Sequence, residues 1–403
     1  ELARARSLPL RSTLHALLAV AVPCPLFPAV VIYWSANRLL CCRGWKAGSM
    51  KPCLCLCLVL LPWLCLAGPR AATAEEPAPD KRLAELMRQL ESEDCEVRAR
   101  AASVLGDLNA KGAATELAKL LCDKDGVVRA KAAWALGALK AQGAAPALAK
   151  LLRDENLGVR AQAAQALGEL KAKESGPELV KLLSDKDWEV RANATWALGE
   201  IKVEEATPEL IKLLGDKNEA VRRAAAKALG ELKAKEAVPI LVKVLEDEVE
   251  WVRDSAAHAL VALGAKEAAP ELLKLLDDER AAVRGHAAWI LGCLKAQEAV
   301  PELVKCLHDK DGDVRATATV ALGVLGAKEA APELAKLMGD ENKWVRANAA
   351  GALSMLGAIE TVPEIVKLLR DKDWNVRLYA VLALGKLKAQ AAAPEILMLI
   401  RDE

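Results

Sequence analysis

The stretch DKDWEVRANATWALGEIK, residues 185–202, contains the pattern that decides the fold. Its Val190–Arg191 pair recurs every 31 residues, from 97–98 to 376–377, in ten registers without an insertion. Numbered from that valine as place 1, the shared repeat is VRAxAAxALGxLKAKEAxPELxKLLxDKDxx. A fixed period with two amphipathic helical segments predicts helix pairs that bury their apolar faces only by stacking on neighbouring pairs.

Two helices are expected in each repeat. The first begins after Asp187, a good N-cap residue, and runs to about Ile201. Val249 and Arg280 hold the cap place in two other repeats, so those helix starts should be weaker. The second helix opens with proline, as at Pro208, and should run about nine residues, to the Leu-Leu pair.

The repeats cover residues 75–403 and predict an all-α fold, an α-solenoid (superhelix) of about ten 31-residue two-helix units. Lone second-type helices at 80–91 and 394–401 bring the expected number to about 21. Ala and Leu carry most of the 53% hydrophobic content, as in close-packed helices. Since we see no polar closing helix before Glu403, we expect the array to be cut short there.

Two recurring features are expected to be structural. Glycine at place 10, as at Gly199, suggests a close helix approach; Val261 and Ser354 depart from it. Asp at place 27 and Arg at place 2 recur in every repeat and predict a hydrogen-bonded ladder along the stack. Its members in the central repeats are Asp185, Arg191, Asp216 and Arg222. The alternative is an anion-binding row of arginines, although each arginine comes with its own aspartate.

DKDWEVRANATWALGEIK, followed by TPELIKLL, resembles the HEAT-like repeats named after the phycobilisome (PBS) lyase subunits, over residues 80–402. This resemblance implies a solenoid whose first helices line an inner, concave surface. The array also resembles two enzyme families, the bilin lyases and deoxyhypusine hydroxylase. The latter takes its iron ligands from His-Glu pairs, but His258 and His286 precede alanine and His308 precedes aspartate. That oxidoreductase activity therefore has no matching residues here.

The places that vary between repeats are 31, 4, 7 and 11, which we call the variable stripe, and place 30 beside it. At about 100° per residue the four places form one line along the first helix, away from the apolar places 1, 5, 8, 9 and 12. All seven tryptophans of the repeats lie on this stripe or at its edge: Trp134, Trp188, Trp196, Trp251, Trp289, Trp344 and Trp374. We interpret them as a binding surface on the concave face. The alternative is that the rings stack and fill a tight superhelix.

The sequence thus favours a non-enzymatic scaffold that binds a protein or peptide and acts as a monomer. Residues 75–403 carry 48 basic and 54 acidic side chains, which argues against nucleic acid as the partner. We expect no catalytic residue, no metal, no cofactor and no membrane insertion of the mature chain. The alternatives are a bilin-lyase-like or other enzyme subunit whose repeats hold a substrate protein, and a purely structural spacer.

The N-terminal segment has a different composition. Residues 50–74 combine Lys51, an apolar run and Ala72-Thr73-Ala74 before the first acids, the layout of a signal peptide. We therefore expect export, to the periplasm or the extracellular space. Residues 1–49 are either a membrane segment or non-native sequence translated upstream of Met50, and we favour the second. Seven of the eleven cysteines precede residue 75, and the remaining four form no CxxC pair, which argues against zinc.

Overall fold

The computed structural model describes residues 79–401, with side chains from 81 to 397. This part of the chain consists of 21 α-helices joined by turns and short 3₁₀ segments, and it contains no strand. The predicted α-solenoid is confirmed. Segments 1–49 and 50–74, interpreted above as upstream sequence and signal peptide, lie outside the described residues.

The first-type helices begin at the end of each DKD turn and contain the Val-Arg pair. They are α2 Cys95–Asp107, α4 Gly126–Ala138, α6 Leu157–Leu170, α8 Trp188–Ile201, α10 Glu219–Leu232, α12 Glu250–Leu263, α14 Ala281–Cys293, α16 Gly312–Leu325, α18 Lys343–Leu356 and α20 Trp374–Lys386. The bounds of α8 agree with those predicted from its cap and its apolar pattern.

The second-type helices are shorter than expected. They are α1 Pro79–Gln89, α3 Ala114–Lys119, α5 Ala145–Leu151, α7 Gly176–Lys181, α9 Thr207–Leu213, α11 Val238–Val244, α13 Ala269–Leu275, α15 Val300–Cys306, α17 Ala331–Lys336, α19 Val362–Lys367 and α21 Ala393–Arg401. The nine-residue estimate is wrong for the interior ones, because part of the pattern forms 3₁₀ turns. Glu204–Ala206 precedes α9, and Leu182–Ser184 follows α7.

The N-caps behave as their residue types predict. In eight first-type helices an Asp or Asn side chain accepts a main-chain N–H of the first turn, as Asp187 does from Glu189 and Val190. Val249 and Arg280 make no such bond. α12 and α14 therefore start without a side-chain cap, which is the reason to expect weaker starts there.

The core runs along the stack between the two kinds of helix and between successive first-type helices. Val190, Ala194 and Leu198 of α8 are fully buried, and their counterparts recur along the stack. The place-10 glycine allows the close approach: a methyl group at Gly199 would lie 3.0 Å from Cα of Ala228 in α10. No side chain would fit at this contact. The close packing of α8 against α10 that glycine permits offsets the cost of glycine inside a helix.

Candidate binding face

The Asp-Arg ladder forms one edge of the array. Arg191 donates from Nε and Nη2 to the two carboxylate oxygens of Asp216, both at 2.8 Å. Its Nη1 donates to the main-chain carbonyl oxygen of Asp185 at 2.8 Å. Arg222 repeats this arrangement with Asp247 and with the carbonyl of Asp216. Asp216 therefore joins two successive arginines, Arg191 through its side chain and Arg222 through its main chain.

The ladder charges are fixed by their partners. Burial acts to raise the pKa of Asp216, but hydrogen bonds from Arg191 and from the Asn218 N–H outweigh it, so its pKa lies below the ordinary value. The hydrogen bonds with Asp216 raise the pKa of Arg191 against the effect of burial. Because Nε, Nη1 and Nη2 of Arg191 all have protein acceptors, the geometry does not favour the anion-binding alternative.

We call each Arg-Asp side-chain pair of the ladder a rung. The sequence predicts a rung in every repeat, and the structure lacks one of them. Arg253 keeps its bonds to the carbonyls of Asp247 and Glu248, but it makes no hydrogen bond or ion pair with Asp278. Its Nε is buried without an acceptor. The carboxylate of Asp278 instead accepts from Arg280, at 2.9 Å from Nε and 2.8 Å from Nη2. The expected pairing is therefore wrong at this position, because a nearer guanidinium occupies the carboxylate.

The seven tryptophans of the variable stripe and its edge all reach the surface. Trp188, Trp251 and Trp374 are about half exposed, at 46%, 51% and 55%. The other four rings, Trp134, Trp196, Trp289 and Trp344, are partly buried. None belongs to the buried core, as the repeat register predicts.

The partly buried rings at place 7 have a packing role as well. A methyl group at Gly106 would lie 2.6 Å from Cζ3 of Trp134, and one at Gly168 would lie 2.7 Å from Cζ3 of Trp196. Each indole thus covers the place-10 glycine of the preceding repeat. The helical register alone does not show this contact, because it lies between repeats. The packing interpretation therefore holds for part of these two side chains.

Two of the other rings have titratable neighbours. The ring centroid of Trp289 lies 4.9 Å from that of His258, with the planes tilted by 52°. The Lys343 ammonium lies 5.3 Å from the ring centroid of Trp344, within the range of a cation–π contact. Trp188 and Trp374, at place 30, are the first residues of α8 and α20. The stripe thus combines indole faces with titratable side chains.

A cavity of about 410 Å³ opens on the variable stripe around Trp134. Its lining combines an indole, two amides, a cation, a carboxylate and small or apolar groups. The lining residues are Ser103, Asp107, Val127, Ala130, Lys131, Trp134, Gly158, Gln162 and Gln165. Gly158 occupies place 31 of its repeat, so no side chain fills the space beside Gln162.

A larger depression of about 540 Å³ lies beside the ladder. Asp216, Arg222 and Asp247 are among its lining residues, and their charged groups already bind one another. We therefore regard the variable stripe, with its indoles and amides, as the better candidate for a binding face.

Metal and thiol chemistry have little support in the described residues. Between residues 79 and 401 no three or more His, Cys, Asp or Glu side chains are grouped so as to hold a metal ion. Cys95, Cys122, Cys293 and Cys306 are free cysteines. Burial raises the pKa of Cys293 and of Cys306 to about 11, so both thiols are protonated and weakly nucleophilic near neutral pH.

Comparison with known proteins identifies the fold family. The model of HEAT repeats matches residues 83–168, 145–225, 207–284, 269–354 and 331–403. The chain belongs to the HEAT repeat family. A search of curated proteins gives no match. None of the helices described here is long and apolar enough to cross a lipid bilayer.

Two solved structures are similar in part. The crystal structure of an engineered protein is 27% identical, with a TM-score of 0.46, over 76% of this chain and 98% of that chain. The complex of CpcE and CpcF of phycocyanin lyase from Nostoc sp. PCC7120 is 25% identical, with a TM-score of 0.34, over 61% of this chain and 94% of that chain.

Proposed function

We propose that this HEAT-repeat array is a non-enzymatic scaffold that binds a protein through an extended peptide segment lying along the variable stripe. The observation that carries the proposal is the placement of the tryptophans. All seven lie on one line of the first-type helices or at its edge, and none is buried. Tryptophan is enriched among the residues that dominate binding energy at protein interfaces.

The cavity around Trp134 supports a peptide as the ligand. Gln162 and Gln165 are three residues apart on α6, so their side chains lie on the same helix face. A carboxamide both donates and accepts, which matches the alternating N–H and C=O groups of an extended main chain. Lys131 and Asp107 carry opposite charges in the same lining, so the cavity favours a ligand of low net charge.

The test is binding of short peptides selected from a random displayed library on the intact array. Trp251→Ala and Trp374→Ala remove half-exposed rings. Each should weaken a peptide that contacts it by about 1–3 kcal/mol, or roughly 5- to 150-fold in Kd. Gln162→Ala together with Gln165→Ala should weaken a peptide bound at the cavity. Ile359→Ala is the matched control, because Ile359 is 67% exposed but lies in the turn before α19, away from the stripe.

Several outcomes would count against the proposal. One is a library that yields no peptide bound by the folded array. Another is a set of selected peptides whose Kd values are unchanged in every stripe variant. A third is a loss of affinity in Ile359→Ala as large as in the tryptophan variants. Circular dichroism of each variant separates lost binding from lost folding.

The alternative is an enzyme subunit of the lyase type, which the resemblance of the repeat pattern to PBS-lyase HEAT-like repeats favours. In that case the same stripe would hold a substrate protein while another subunit supplies the chemistry. Reconstitution with a bilin and an acceptor protein distinguishes the two. Chromophore transfer that depends on Trp251 would favour the alternative over a scaffold.

The proposal includes export and a monomeric state. The signal-peptide layout of residues 50–74 motivates the first. N-terminal sequencing of the product released by a secreting host should begin close to residue 75. Sedimentation at several protein concentrations should give the mass of a single chain, and a mass that rises with concentration would count against the monomer.

A further inference from the structure

We call the interface between two successive first-type helices a seam. The seam between α12 and α14 differs from the others. At place 10 Val261 stands where the chain usually has glycine, and at place 8 of the next helix Ile290 stands where all the other seams have alanine. In the preceding seam, a methyl group at Gly230 would lie 3.0 Å from Cα of Ala259. Two larger aliphatic side chains replace this contact, and α12 and α14 pack less closely than the other pairs.

The ladder is interrupted at the same seam. The Arg253 side chain forms no rung with Asp278, and its buried Nε has no acceptor. Eight equivalent arginines form bidentate pairs with an aspartate 25 residues later: Arg98, Arg129, Arg160, Arg191, Arg222, Arg284, Arg315 and Arg346. The main-chain bond of the ladder, from Nη1 of Arg284 to the carbonyl of Asp278 at 2.8 Å, is kept, but it joins α14 to the turn just before it and does not reach α12.

Both helices of the seam also lack a side-chain cap. Val249 before α12 and Arg280 before α14 make no cap bond, and they are the only first-type helix starts in residues 79–401 without one. Three separate sources of rigidity, the close helix contact, the carboxylate rung and the caps, are thus missing at one place. No other seam within those residues lacks more than one of them.

Polar contacts do cross the seam, as does the contact between the rings of His258 and Trp289. His286 Nε2 lies 2.8 Å from Oδ1 of Asp254, on the side of the variable stripe. Arg280 donates to the carbonyl of Glu246 at 2.9 Å and lies 3.2 Å from its carboxylate. The Arg280 and Glu246 side chains are 43% and 51% exposed, so water and salt weaken this pair.

We infer that the solenoid contains one built-in joint, at the seam between α12 and α14. In a repeat array the stability is a sum of unit terms and nearest-neighbour interface terms, so opening occurs first where the interface term is smallest. The joint separates the segment that ends with α12 from the segment that begins with α13, because α13 packs on α14 as the other second-type helices pack on the helix after them. Trp134, Trp188, Trp196 and Trp251 belong to the first segment, and Trp289, Trp344 and Trp374 to the second. Bending at the joint therefore changes the distance between the two groups of rings.

Hydrogen exchange of the intact wild-type chain tests the joint without any substitution. The protected amides of α12 and α14 should exchange about tenfold faster than their counterparts in α8, α10 and α16, a factor that corresponds to about 1.4 kcal/mol. Equal exchange rates along the array would overturn the inference.

Two matched variants sharpen the test. Val261→Gly with Ile290→Ala and Arg280→Asp restores the regular contact, supplies a cap and frees Asp278 for Arg253. This variant should slow exchange at the seam to the level of its neighbours. Gly230→Val with Ala259→Ile copies the wide contact into the regular seam between α10 and α12, and should raise exchange there. A restored variant that folds but exchanges as fast as the wild type would refute the assignment.

Discussion

Replacing Arg191 by alanine should destabilise the array far more than the same replacement at Arg253. Arg191 forms two charge-assisted bonds to Asp216, and the two side chains are only 16% and 9% exposed. Its removal leaves a nearly buried carboxylate whose remaining bond comes from the Asn218 N–H. Breaking a buried pair by removing one partner costs about 3–5 kcal/mol. Because this pair lies at an edge that water can reach after the truncation, we expect about 3 kcal/mol.

Arg253→Ala is the internal control. Its Nη1 bonds to the carbonyls of Asp247 and Glu248 resemble those of Arg191 to Asp185 and Lys186, but it lacks the carboxylate pair. The expected cost is about 1 kcal/mol, the net value of ordinary hydrogen bonds of this kind. The difference between the two variants, about 2 kcal/mol, isolates the contribution of the carboxylate rung.

The assay is urea unfolding followed by far-UV circular dichroism, fitted with a nearest-neighbour model because repeat arrays need not unfold in two states. A double-mutant cycle of Arg191→Ala and Asp216→Ala should give a coupling energy of about 2–3 kcal/mol. Equal losses in Arg191→Ala and Arg253→Ala, or a coupling energy below about 0.5 kcal/mol, would refute the structural role of the rung.

Three further predictions use pairs of sites with the same residue type or a titration. Gly199→Ala should lower the free energy of unfolding by about 1–3 kcal/mol, because the added methyl group would lie 3.0 Å from the backbone of α10. Gly285→Ala should raise it by about 1 kcal/mol, because nothing lies within 4 Å of the added methyl group and alanine favours the helix. Thr195→Val should raise the free energy of unfolding by about 1 kcal/mol, because the buried Thr195 hydroxyl has no hydrogen-bond partner. Thr319→Val should lower it by about 1 kcal/mol, because the Thr319 hydroxyl donates to a carbonyl at 2.8 Å. The unfolding midpoints in urea check both pairs. Finally, the stability lost in Arg191→Ala should be largest near neutral pH and shrink as the pH falls below about 5. The pKa of Asp216 lies below its ordinary value in the wild type, so its contribution is present above the unfolded pKa and lost on acidification. In the variant the bonds from Arg191 no longer lower the pKa of Asp216 against the effect of burial, so its protonation begins at a higher pH and relieves the penalty. A loss of stability that does not depend on pH would contradict this account.

The repeat register was sufficient to predict most of the fold. The Val-Arg spacing, the caps and the prolines locate the helices, and the recurring glycine predicts the close contacts between first-type helices. The second-type helices were overestimated, because residues such as Leu182–Ser184 contain the Leu-Leu pair that was expected to end the helix but form a 3₁₀ turn after α7. The apolar period does not show this.

The candidate face could be predicted only in part. The register removes the tryptophans from the core, but it does not show that Trp134 and Trp196 cover glycines of the preceding repeat. It also predicts a ladder pair at Arg253, because both residue types are present there. The competition from Arg280 arises between side chains that only the folded arrangement brings together. The pattern within one repeat therefore does not determine these side-chain partners, because they depend on contacts between repeats.

The equivalence of the regular seams has a consequence for how such a chain can change length. Removal of residues 188–218, one full period, would bring Arg222 to the carbonyl of Asp185 in place of that of Asp216. It would also set Ala228 against Gly168 in place of Gly199, so both residues would keep the kind of partner that they have now. Removal of 250–280 would instead set Ile290 against Gly230, a mismatched junction. Units within the regular part are thus interchangeable modules that duplication or loss can add or subtract. The unit from 250 to 280 is an exception, because its Val261 is matched to the Ile290 of the unit that follows it.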